Sequence, residues 1–379
     1  MKSITAVILA AGEGKRIKPL ITPKGLFSFL GKPMVSWHIE DLTQAGIENI
    51  VIVVNPKAKK DFEEKLPSGI KIVTQKDPKG MADALLSATP SIETDSVIII
   101  NGADLLSTSA LTEFTNHVKT NDPDILISGL KLDHYLPGGY FKLEDGKPVA
   151  IIEKPGEGKE PSPYFNIVLH YLKNVNDFVK TLKTTKSEDD DVYEKSLSKL
   201  MAGGKVDMFS YSDYFSQIKY PHQILDMVDL FLTSRLNNQS TIHPTAKIME
   251  GAVIKNSYIG KNVVIGNNCL IRDSIIEADS VVGYNTEIAR SYVGPKSYFH
   301  CNYVGDSIIE GSTNMGSGSR LANLRFDEKE IGGTGKKKFG AVLALGAKTG
   351  INASLMPGAI VVANGIVGSG EVYYGPKKN

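Results

Sequence analysis

The stretch IGKNVVIGNNCLI, residues Ile259–Ile271, carries an isoleucine at every sixth position. The same spacing recurs on both sides of it, at these apolar positions: Ile242 and Ile248; Ile276, Val282 and Ile288; Tyr303, Ile309, Met315 and Leu321; and Phe339, Leu345, Ile351, Pro357 and Ala363. An amphipathic helix has a period near 3.6 residues and a half-buried strand has a period of 2. Neither element accounts for a period of six.

A short strand followed by a tight turn, repeated along the flat sides of a prism, does produce a six-residue period. Small turn residues such as Asn267, Gly283 and Asn285 suit the corners, where a positive φ is tolerated. Residues 239–379 are therefore predicted to form an all-β left-handed parallel β-helix of hexapeptide repeats. We expect loops to interrupt it around residues 298–303 and 323–338.

Residues 1–220 have another pattern, in which apolar β-rich runs alternate with helical patterns. The strand-like runs are Ala6–Leu9, Ile50–Val54, Ile70–Val73 and Val97–Asn101, and helical patterns cover Pro33–Ala45 and Ala82–Ala88. This alternation predicts an α/β Rossmann-like domain with a mostly parallel sheet covered on both faces. Between the two domains, residues 221–238 are predicted to form a linker, because Tyr220–Leu236 reads as an amphipathic helix.

Composition narrows the classes of function. The chain has 379 residues and a net charge of +1. A net charge so close to zero predicts neither a nucleic-acid-binding surface nor a membrane-binding surface. Its N-terminal apolar run is short and is followed by Gly and charged residues, which predicts a buried strand rather than a signal peptide. Two cysteines, Cys269 and Cys301, show neither metal-ligand spacing nor a disulfide-rich pattern. We expect a cytoplasmic protein.

The segment LAAGEGKR, residues 9–16, follows the first predicted strand. Glycines let backbone N–H groups close around phosphate oxygens, and Arg16 and Lys24 supply positive charge. The longer string LAAGEGKR…PL…PKGLFSFLGKPM resembles the sugar-1-phosphate nucleotidyltransferase family. Further matching segments are Gln75 with Gly80-Met81-Ala82-Asp83-Ala84, then Asn101-Gly102-Ala103-Asp104, and Glu153-Lys154-Pro155.

This resemblance implies attack of a sugar 1-phosphate on the α-phosphorus of a nucleoside triphosphate, with release of pyrophosphate. It implies that Arg16 and Lys24 are catalytic and hold the phosphates, and that Asp104 holds Mg²⁺, a hard cation that prefers oxygen ligands. The nucleotide- and sugar-binding residues that it implies are Leu9, Ala11, Gly12, Gly14, Lys15, Gln75, Gly80, Gly139, Glu153, Lys154 and Asn166.

Three departures from the family's pattern bear on this activity. Lys15 replaces a small hydroxyl residue, and Met81 stands where threonine is usual, which leaves the preferred nucleobase open. Gln217 stands where a second metal-binding carboxylate is expected. A neutral amide removes a full charge from a Mg²⁺ site, so we expect weakened nucleotidyl transfer.

The β-helix region contains FHCNYVGDSIIEGSTNMGSGSRLANLRFD, residues Phe299–Asp327. His300 is a candidate base, because acetyl transfer to an amine requires removal of a proton near neutral pH. The spacing of His300, Tyr303, Asn314 and Asn323 resembles the acetyltransferase half of the bifunctional enzymes, of archaeal type, that make UDP-N-acetylglucosamine.

That resemblance implies an amino-sugar-phosphate site made by Arg272, Tyr303, Asn314, Asn323 and Lys329. It implies an acetyl-CoA site near Ser317, Ala347 and Ala363, and lysines 336–338 would attract the coenzyme's phosphates unless they form a merely solvated loop. It also implies a homotrimer assembled through the β-helix.

The sequence thus predicts a bifunctional enzyme that uses a nucleoside triphosphate, a sugar 1-phosphate and acetyl-CoA. Two alternatives stay open. One activity could survive while the other domain serves as a binding or regulatory scaffold, or the chain could be a non-catalytic assembly subunit. His300 and its spaced partners argue against the assembly subunit, because a scaffold needs no base there. Whether the amino sugar has the gluco or galacto configuration is not determined.

Overall fold

The computed structural model describes residues 3–375. Its contacts divide into two compact units. Among the described residues, the first unit contains 3–13 and Val35–Phe215; the second contains Gly14–Met34 and 216–375. The predicted domain limits at 220 and 238 follow changes of sequence pattern and stay a prediction.

In chain order, the strands before the repeat region are β1 (Ile4–Ala10), β2 (Ser28–Phe29), β3 (Lys32–Pro33), β4 (Asn49–Val54), β5 (Lys71–Thr74), β6 (Ser96–Asn101), β7 (Asp104–Leu105), β8 (Ile125–Lys131), β9 (Gly139–Glu144), β10 (Lys147–Glu153), β11 (Tyr164–Leu172), β12 (Val206–Tyr211) and β13 (Ser216–Gln217). The helices are α1 (Met34–Gln44), α2 (Lys59–Lys65), α3 (Gly80–Ala88), α4 (Thr108–Asn121), α5 (Val175–Thr184), α6 (Val192–Met201) and α7 (Gln223–Leu236).

The first unit is an α/β Rossmann-like fold around a nine-stranded sheet. The main path of the sheet runs β10-β9-β11-β6-β1-β4-β5, and β8 joins β11 to β12. Adjacent residues such as Val7 and Ile8 are both fully buried, so the sheet is covered on both faces as predicted. Continuous apolar runs such as that of β1 are typical of strands buried on both sides.

The sheet is mixed rather than mostly parallel, which corrects the prediction. Strands β6, β1, β4 and β5 are parallel, but β11 runs antiparallel to β6, β8 and β9. The chain goes from β8 to β11 without a helix. The intervening segment instead forms β9 and β10, whose short connection makes them pair antiparallel.

The second unit contains the left-handed parallel β-helix that the six-residue period predicted. Its strands are β14 (Thr241–Ile242), β15 (Lys247–Ile248), β16 (Val253–Lys255), β17 (Tyr258–Ile259), β18 (Val264–Ile265), β19 (Leu270–Arg272), β20 (Ile275–Ile276), β21 (Val281–Val282), β22 (Glu287–Ala289), β23 (Tyr292–Val293), β24 (Tyr298–Phe299), β25 (Tyr303–Gly305), β26 (Ile308–Ile309), β27 (Asn314–Met315), β28 (Arg320–Leu321), β29 (Val342–Leu343), β30 (Lys348–Thr349), β31 (Ser354–Leu355), β32 (Ile360–Val361), β33 (Ile366–Val367) and β34 (Val372–Tyr373). They form three parallel seven-stranded sheets, which begin with β14, β15 and β16 and take every third strand thereafter.

The predicted interior positions are correct through the middle of the β-helix. Ile259, Ile265, Ile271, Ile276, Val282 and Ile288 are all fully buried in one core cluster. Ile242 and Ile248 belong to the first coil and stay 44% and 37% exposed, because no preceding coil covers them.

Two errors of phase occur further along. Val304, not Tyr303, points inward, because the step from Val304 to the next interior residue, Ile309, is five residues, as it is from Ile271 to Ile276. The turn between β24 and β25 is also one residue shorter than the turn between β21 and β22. No loop projects there, contrary to the prediction. After the inserted loop at residues 323–338, the inward positions are Leu343, Thr349, Leu355, Val361 and Val367. The predicted Leu345, Ile351, Pro357 and Ala363 lie outside the strands, and Ile351 is 57% exposed.

The corners of the coils are turns with left-handed backbone. Asn285 has φ 52°, as predicted, but in the neighbouring turn Asn268, with φ 55°, takes the position that was assigned to Asn267. Gly283 is not at such a position; an added Cβ there would lie 2.5 Å from the Phe299 carbonyl oxygen, so close approach of backbone requires this glycine.

Helix α7 begins at Gln223, three residues later than predicted. The side-chain oxygen of Gln223 accepts hydrogen bonds from the backbone N–H groups of Lys219 and Tyr220, which holds the preceding residues in a turn. Within residues 3–375, no helix combines the length and apolar character needed to cross a bilayer.

Candidate functional site

The segment that resembles a phosphate-binding loop leaves the end of β1, where Leu9 and Ala11 are buried. Gly14 has φ 63°, a left-handed conformation that favours glycine, and a single 3₁₀ turn, Lys15–Ile17, follows it. Lys15 and Arg16 are exposed on this turn, and the Arg16 guanidinium lies 5.7 Å from the centroid of the Tyr220 ring. Lys24, half-buried, begins a second 3₁₀ turn. From Gly14 onward these residues belong to the second unit.

Gln75 and Gly80 lie together in the first unit. Gln75 is buried, and its side-chain amide donates 3.0 Å hydrogen bonds to the Gly80 carbonyl oxygen and to Asp83 Oδ2. These two bonds fix the orientation of the side-chain amide. Gln75 Oε1 is then the atom that can accept a hydrogen bond from a ligand. Gly80 has φ 80°, a left-handed conformation that favours glycine, and an added Cβ would have to displace the exposed Asp190 side chain.

Three of the residues implied for sugar binding also meet in the first unit. Gly139 pairs with Glu153 across β9 and β10. An added Cβ on Gly139 would lie 3.2 Å from Glu153 Oε2 and 3.4 Å from the Cβ of Asn166. Lys154 Nζ lies 3.0 Å from Glu153 Oε1, so the two charges offset each other. The nearest atom to that Cβ position is the Ile151 Cγ2 methyl, at 2.9 Å, so the glycine lets the strand pack closely against Ile151 beside the Glu153 carboxylate.

A buried chain of side chains behind Asn166 was not predicted. His170 Nε2 lies 2.8 Å from Asn166 Oδ1, and His170 Nδ1 lies 2.9 Å from the Tyr193 hydroxyl. Burial lowers the pKa of His170 to about 3, so the ring is neutral. Since Asn166 Oδ1 can only accept, Nε2 carries the hydrogen and the tyrosine hydroxyl donates to Nδ1. A histidine within the apolar strand FNIVLHYL was the available signal.

Asp104 is buried at the start of β7, and its Oδ1 accepts a 2.9 Å hydrogen bond from the Asn101 side-chain amide. No group of three His, Cys, Asp or Glu side chains suited to a metal occurs in the described chain. Mg²⁺ is often held by one or two carboxylates together with substrate phosphates. A lone Asp104 fits that mode and does not fit a site made by protein ligands alone. Gln217 is buried on β13.

His300 is exposed on the short turn between β24 and β25. Its backbone N–H donates to Asn302 Oδ1, and the Asn302 amide donates to the carbonyl oxygens of Gly316 and Ser319 at 2.9 and 3.2 Å. Asn302 is only 2% exposed. The buried amide thus ties the histidine turn to the next coil, and the sequence analysis missed it because asparagine is common in every turn of this repeat.

Tyr303 and Asn323 converge over Gly305. An added Cβ on Gly305 would lie 2.6 Å from the Tyr303 hydroxyl and 2.7 Å from Asn323 Nδ2. Asn323 Nδ2 donates to Asp306 Oδ2, and Arg290 binds both oxygens of Asp306 at 2.6 and 2.7 Å. Asp306 raises the pKa of Arg290, whose charge it balances. Asp306 is thus the centre of a network that orients Asn323.

Arg272 lies on the same sheet, in register with Ala289 and Gly305. Its guanidinium contacts Glu287 Oε1 at 2.9 Å, and both side chains are about one-third exposed. Asn314, in contrast, is exposed on β27, which belongs to another of the three sheets. One chain therefore gathers Arg272, Tyr303 and Asn323 on one face but places Asn314 on a different face.

The remaining residues implied for acetyl transfer are scattered. Lys329 is exposed in the inserted loop, and its backbone N–H donates to Asp327 Oδ1. Lys336 pairs with Asp226 of α7 at 2.6 Å, so it is not merely solvated. Ser317 is exposed and Ala363 is half-buried. The methyl group of Ala347 is fully buried in the β-helix core, so only its backbone could contact a coenzyme.

Comparison with known proteins finds matches to both the N-terminal and the C-terminal parts of the chain. The nucleotidyl transferase family matches residues 5–214, and a family described as the GMPPB C-terminal domain matches residues 236–364. The chain is 34% identical over 408 residues to a bifunctional sugar-1-phosphate nucleotidylyltransferase/acetyltransferase of Sulfurisphaera tokodaii, covering 97% of this chain and 99% of the relative.

Two further relatives are archaeal proteins named bifunctional protein GlmU. That of Methanococcus maripaludis is 33% identical, and that of Methanocaldococcus jannaschii is 28% identical; each alignment covers 96% of this chain and 93% of the relative. The chain therefore belongs to the nucleotidyl transferase family and, over 97% of its length, to the bifunctional sugar-1-phosphate nucleotidylyltransferase/acetyltransferase proteins.

Proposed function

We propose that this chain is a bifunctional enzyme. One activity transfers a nucleotidyl group from a nucleoside triphosphate to a sugar 1-phosphate, and the other transfers an acetyl group from acetyl-CoA to an amino-sugar 1-phosphate. The observation that carries the proposal is the similarity over nearly the full length of both proteins to a relative with that bifunctional name.

For nucleotidyl transfer, the sugar phosphate oxygen forms a bond to the α-phosphorus, and the bond to pyrophosphate breaks. This chemistry depends on positioning and on neutralised charge more than on a protein nucleophile. Arg16 and Lys24 would bind the phosphates, Gln75 Oε1 would accept from the nucleobase, and Glu153 with Asn166 would bind sugar hydroxyls. The short contacts of Gln75 and Asn166 support these roles, because each amide has a fixed orientation.

Asp104 would hold Mg²⁺, whose charge, when the ion is bound, offsets the negative charge that the phosphates share. The protein contributes one carboxylate from the first unit at this position, and Asn101 fixes its orientation. Gln217 adds no charge. The bulk of the coordination would therefore come from substrate oxygens and water.

For acetyl transfer, the amine nitrogen of the sugar forms a bond to the thioester carbonyl carbon, and the carbon–sulfur bond then breaks. His300 would accept the proton that the amine loses and return it to the departing thiolate. Arg272 and Lys329 would bind the sugar phosphate, while Tyr303 and Asn323 would bind the sugar. The exposure of His300, together with its turn anchored by Asn302, supports the role of a base that a substrate can reach.

A trimer would complete the acetyl-transfer site. Asn314 lies on a different sheet from Tyr303, so a site that uses both needs a neighbouring copy of the chain. The side chains of Tyr284 and Tyr298 are 60% and 42% exposed on the β-helix, as expected for contact residues. Light scattering in solution should give a mass close to that of three chains; a monomer would remove Asn314 from the site.

The decisive experiment measures both activities in one preparation. Pyrophosphate release is followed with several sugar 1-phosphates and nucleoside triphosphates, and thiol release from acetyl-CoA is followed with glucosamine 1-phosphate and galactosamine 1-phosphate. His300→Ala should lose thiol release and keep pyrophosphate release, and Arg16→Ala should show the opposite result. If His300→Ala acetylates at the wild-type rate, the proposed mechanism is wrong.

A second candidate is an acetyltransferase whose other domain only binds ligands. Gln217 favours it, because the site lacks the charge of a second carboxylate. In that case wild-type protein would release thiol but no pyrophosphate with any nucleotide tested.

A further inference from the structure

The segment Gly14–Met34, which carries Arg16 and Lys24, is packed within the second unit. Glu310, at the end of β26, is 3% exposed and accepts three backbone hydrogen bonds. Its Oε1 accepts from the N–H groups of Ile21 and Thr22 at 2.8 and 2.5 Å, and its Oε2 accepts from Leu345 at 2.8 Å. One carboxylate therefore joins the β-helix to a loop two residues before Lys24.

The same side of the β-helix holds the rest of this segment. Tyr292, on β23, is 1% exposed, and its ring centroid lies 6.1 Å from that of Phe27 and 5.5 Å from that of Phe29. Glu277 Oε1 accepts a 3.3 Å hydrogen bond from Gly31. Contacts with the β-helix therefore lie on both sides of Lys24 along the chain.

This segment has little regular structure of its own. Between Gly14 and Met34 it contains two 3₁₀ turns of three residues and the two-residue strands β2 and β3. Backbone N–H groups that are removed from water need a partner, and a carboxylate that accepts them makes stronger, charge-assisted hydrogen bonds. Glu310 supplies that partner for two consecutive residues. Burial of a carboxylate is costly unless it is so bonded, which explains why all three donors converge on it.

We propose that Glu310 is a positioning residue for nucleotidyl transfer. Although it belongs to the β-helix, it fixes the backbone from which Lys24 reaches the phosphates, and the β-helix thereby controls the rate of the other activity. The proposal rests on the proposed nucleotidyl transfer. It gives the acetyltransferase domain a role in that reaction that does not depend on acetyl-CoA.

The test compares full-length wild type with Glu310→Gln and Glu310→Ala. Glutamine keeps one acceptor oxygen, whereas alanine keeps none. We expect kcat for pyrophosphate release to fall by on the order of tenfold in Glu310→Ala and by less in Glu310→Gln, because a small misplacement of a phosphate-binding group is costly. Thiol release in the acetyl-transfer assay should stay within about twofold of wild type.

Amide hydrogen exchange supplies a readout that does not depend on activity. Peptides that span residues 17–27 should exchange faster in both variants, while peptides from β17 to β24 should not change. The matched control is Glu371→Ala, because Glu371 Oε2 also accepts a backbone hydrogen bond, from Gly368 at 2.7 Å, but within the last coil. The control should leave both kcat values and the exchange of residues 17–27 unchanged.

Each outcome of these measurements supports or overturns the positioning role of Glu310. Wild type that releases no pyrophosphate overturns the proposed nucleotidyl transfer, and this inference fails with it. Active wild type with unchanged kcat and exchange in both variants overturns the role of Glu310 alone. Equal losses of both activities, with faster exchange throughout the β-helix, would show that Glu310 only stabilises the fold.

Discussion

At the scale of single residues, Gln217 carries a prediction about the proposed Mg²⁺ site. It is buried on β13, where the resemblance implies a carboxylate. An aspartate adds one negative charge and two oxygen ligands, which Mg²⁺ prefers to an amide. Gln217→Asp should therefore lower the Mg²⁺ concentration that gives half-maximal pyrophosphate release by on the order of tenfold.

Gln217→Asn is the matched control, because asparagine has the shape of aspartate without its charge. A titration of both variants with Mg²⁺ separates charge from size. Equal Mg²⁺ dependence in the Asp and Asn variants would show that residue 217 does not act on the metal.

A second prediction at this scale concerns Gly305. The Tyr303 hydroxyl and Asn323 Nδ2 both lie within 2.7 Å of the place that a Cβ would occupy. Gly305→Ala must displace both groups, so we expect acetyl transfer to fall by on the order of a hundredfold, while pyrophosphate release is retained. Gly203→Ala is the control, because the nearest atom to its Cβ lies 4.0 Å away. An alanine variant that keeps the wild-type kcat for thiol release would contradict the placement of Tyr303 and Asn323.

Single residues also show what the sequence could and could not predict about the sites. His300, Tyr303 and Asn323 were predicted as site residues because their spacing matches a known pattern, and their roles stay a prediction. Asn302 and the link from His170 to Asn166 were missed, because the role of each depends on which groups lie beside it across coils or strands. Glu310 was missed for the same reason: its partners Ile21 and Thr22 lie more than 280 residues away in the chain.

At the scale of elements, the coil corners depend on residues that tolerate a left-handed backbone. Asn285 is exposed at φ 52°, so its side chain contributes through conformation more than through packing. Asn285→Ala should lower the free energy of unfolding by about 1 kcal/mol, because other L-residues pay a steric cost there, whereas Asn285→Gly should be close to neutral. Urea unfolding of the three proteins measures the difference. A variant series in which alanine is as stable as glycine would contradict this account of the corners.

The period of six predicted the β-helix correctly because one residue per strand must point inward, whatever the rest of the coil contains. The predicted register was wrong where apolar residues do not mark the interior positions. Beyond the inserted loop, Thr349 takes an interior position while Ile351 is exposed, so the apolar pattern favoured the wrong register. In the first unit, the alternation of strands and helices predicted the fold class. The antiparallel direction of β11 was missed, because the segment between β8 and β11 forms strands β9 and β10 and no helix, which breaks the alternation.

At the scale of the whole molecule, each compact unit buries a glutamate whose pKa is raised by loss of hydration. Burial raises the pKa of Glu194 in the first unit from 4.5 to about 7, and it raises the pKa of Glu277 in the second unit to about 7 as well. Glu277 is 1% exposed and Glu194 is 6% exposed. In the unfolded chain both carboxyls would lose their protons near pH 4.5.

Between pH 4.5 and 7 the folded protein therefore binds more protons than the unfolded chain, and its stability falls as the pH rises. Each carboxyl should destabilise the fold above pH 7 by up to about 3 kcal/mol relative to acidic conditions. Glu194→Gln and Glu277→Gln remove the charge but keep the shape, so each should be more stable than wild type at pH 8 and similar to it at pH 5. Because the two glutamates lie in separate units, each substitution should stabilise its own unit. Urea midpoints measured at both pH values test this prediction. Glu64→Gln, at an exposed position, is the control for the change in net charge. If the two variants gain no stability at pH 8, other groups in the folded protein offset the cost of these buried charges.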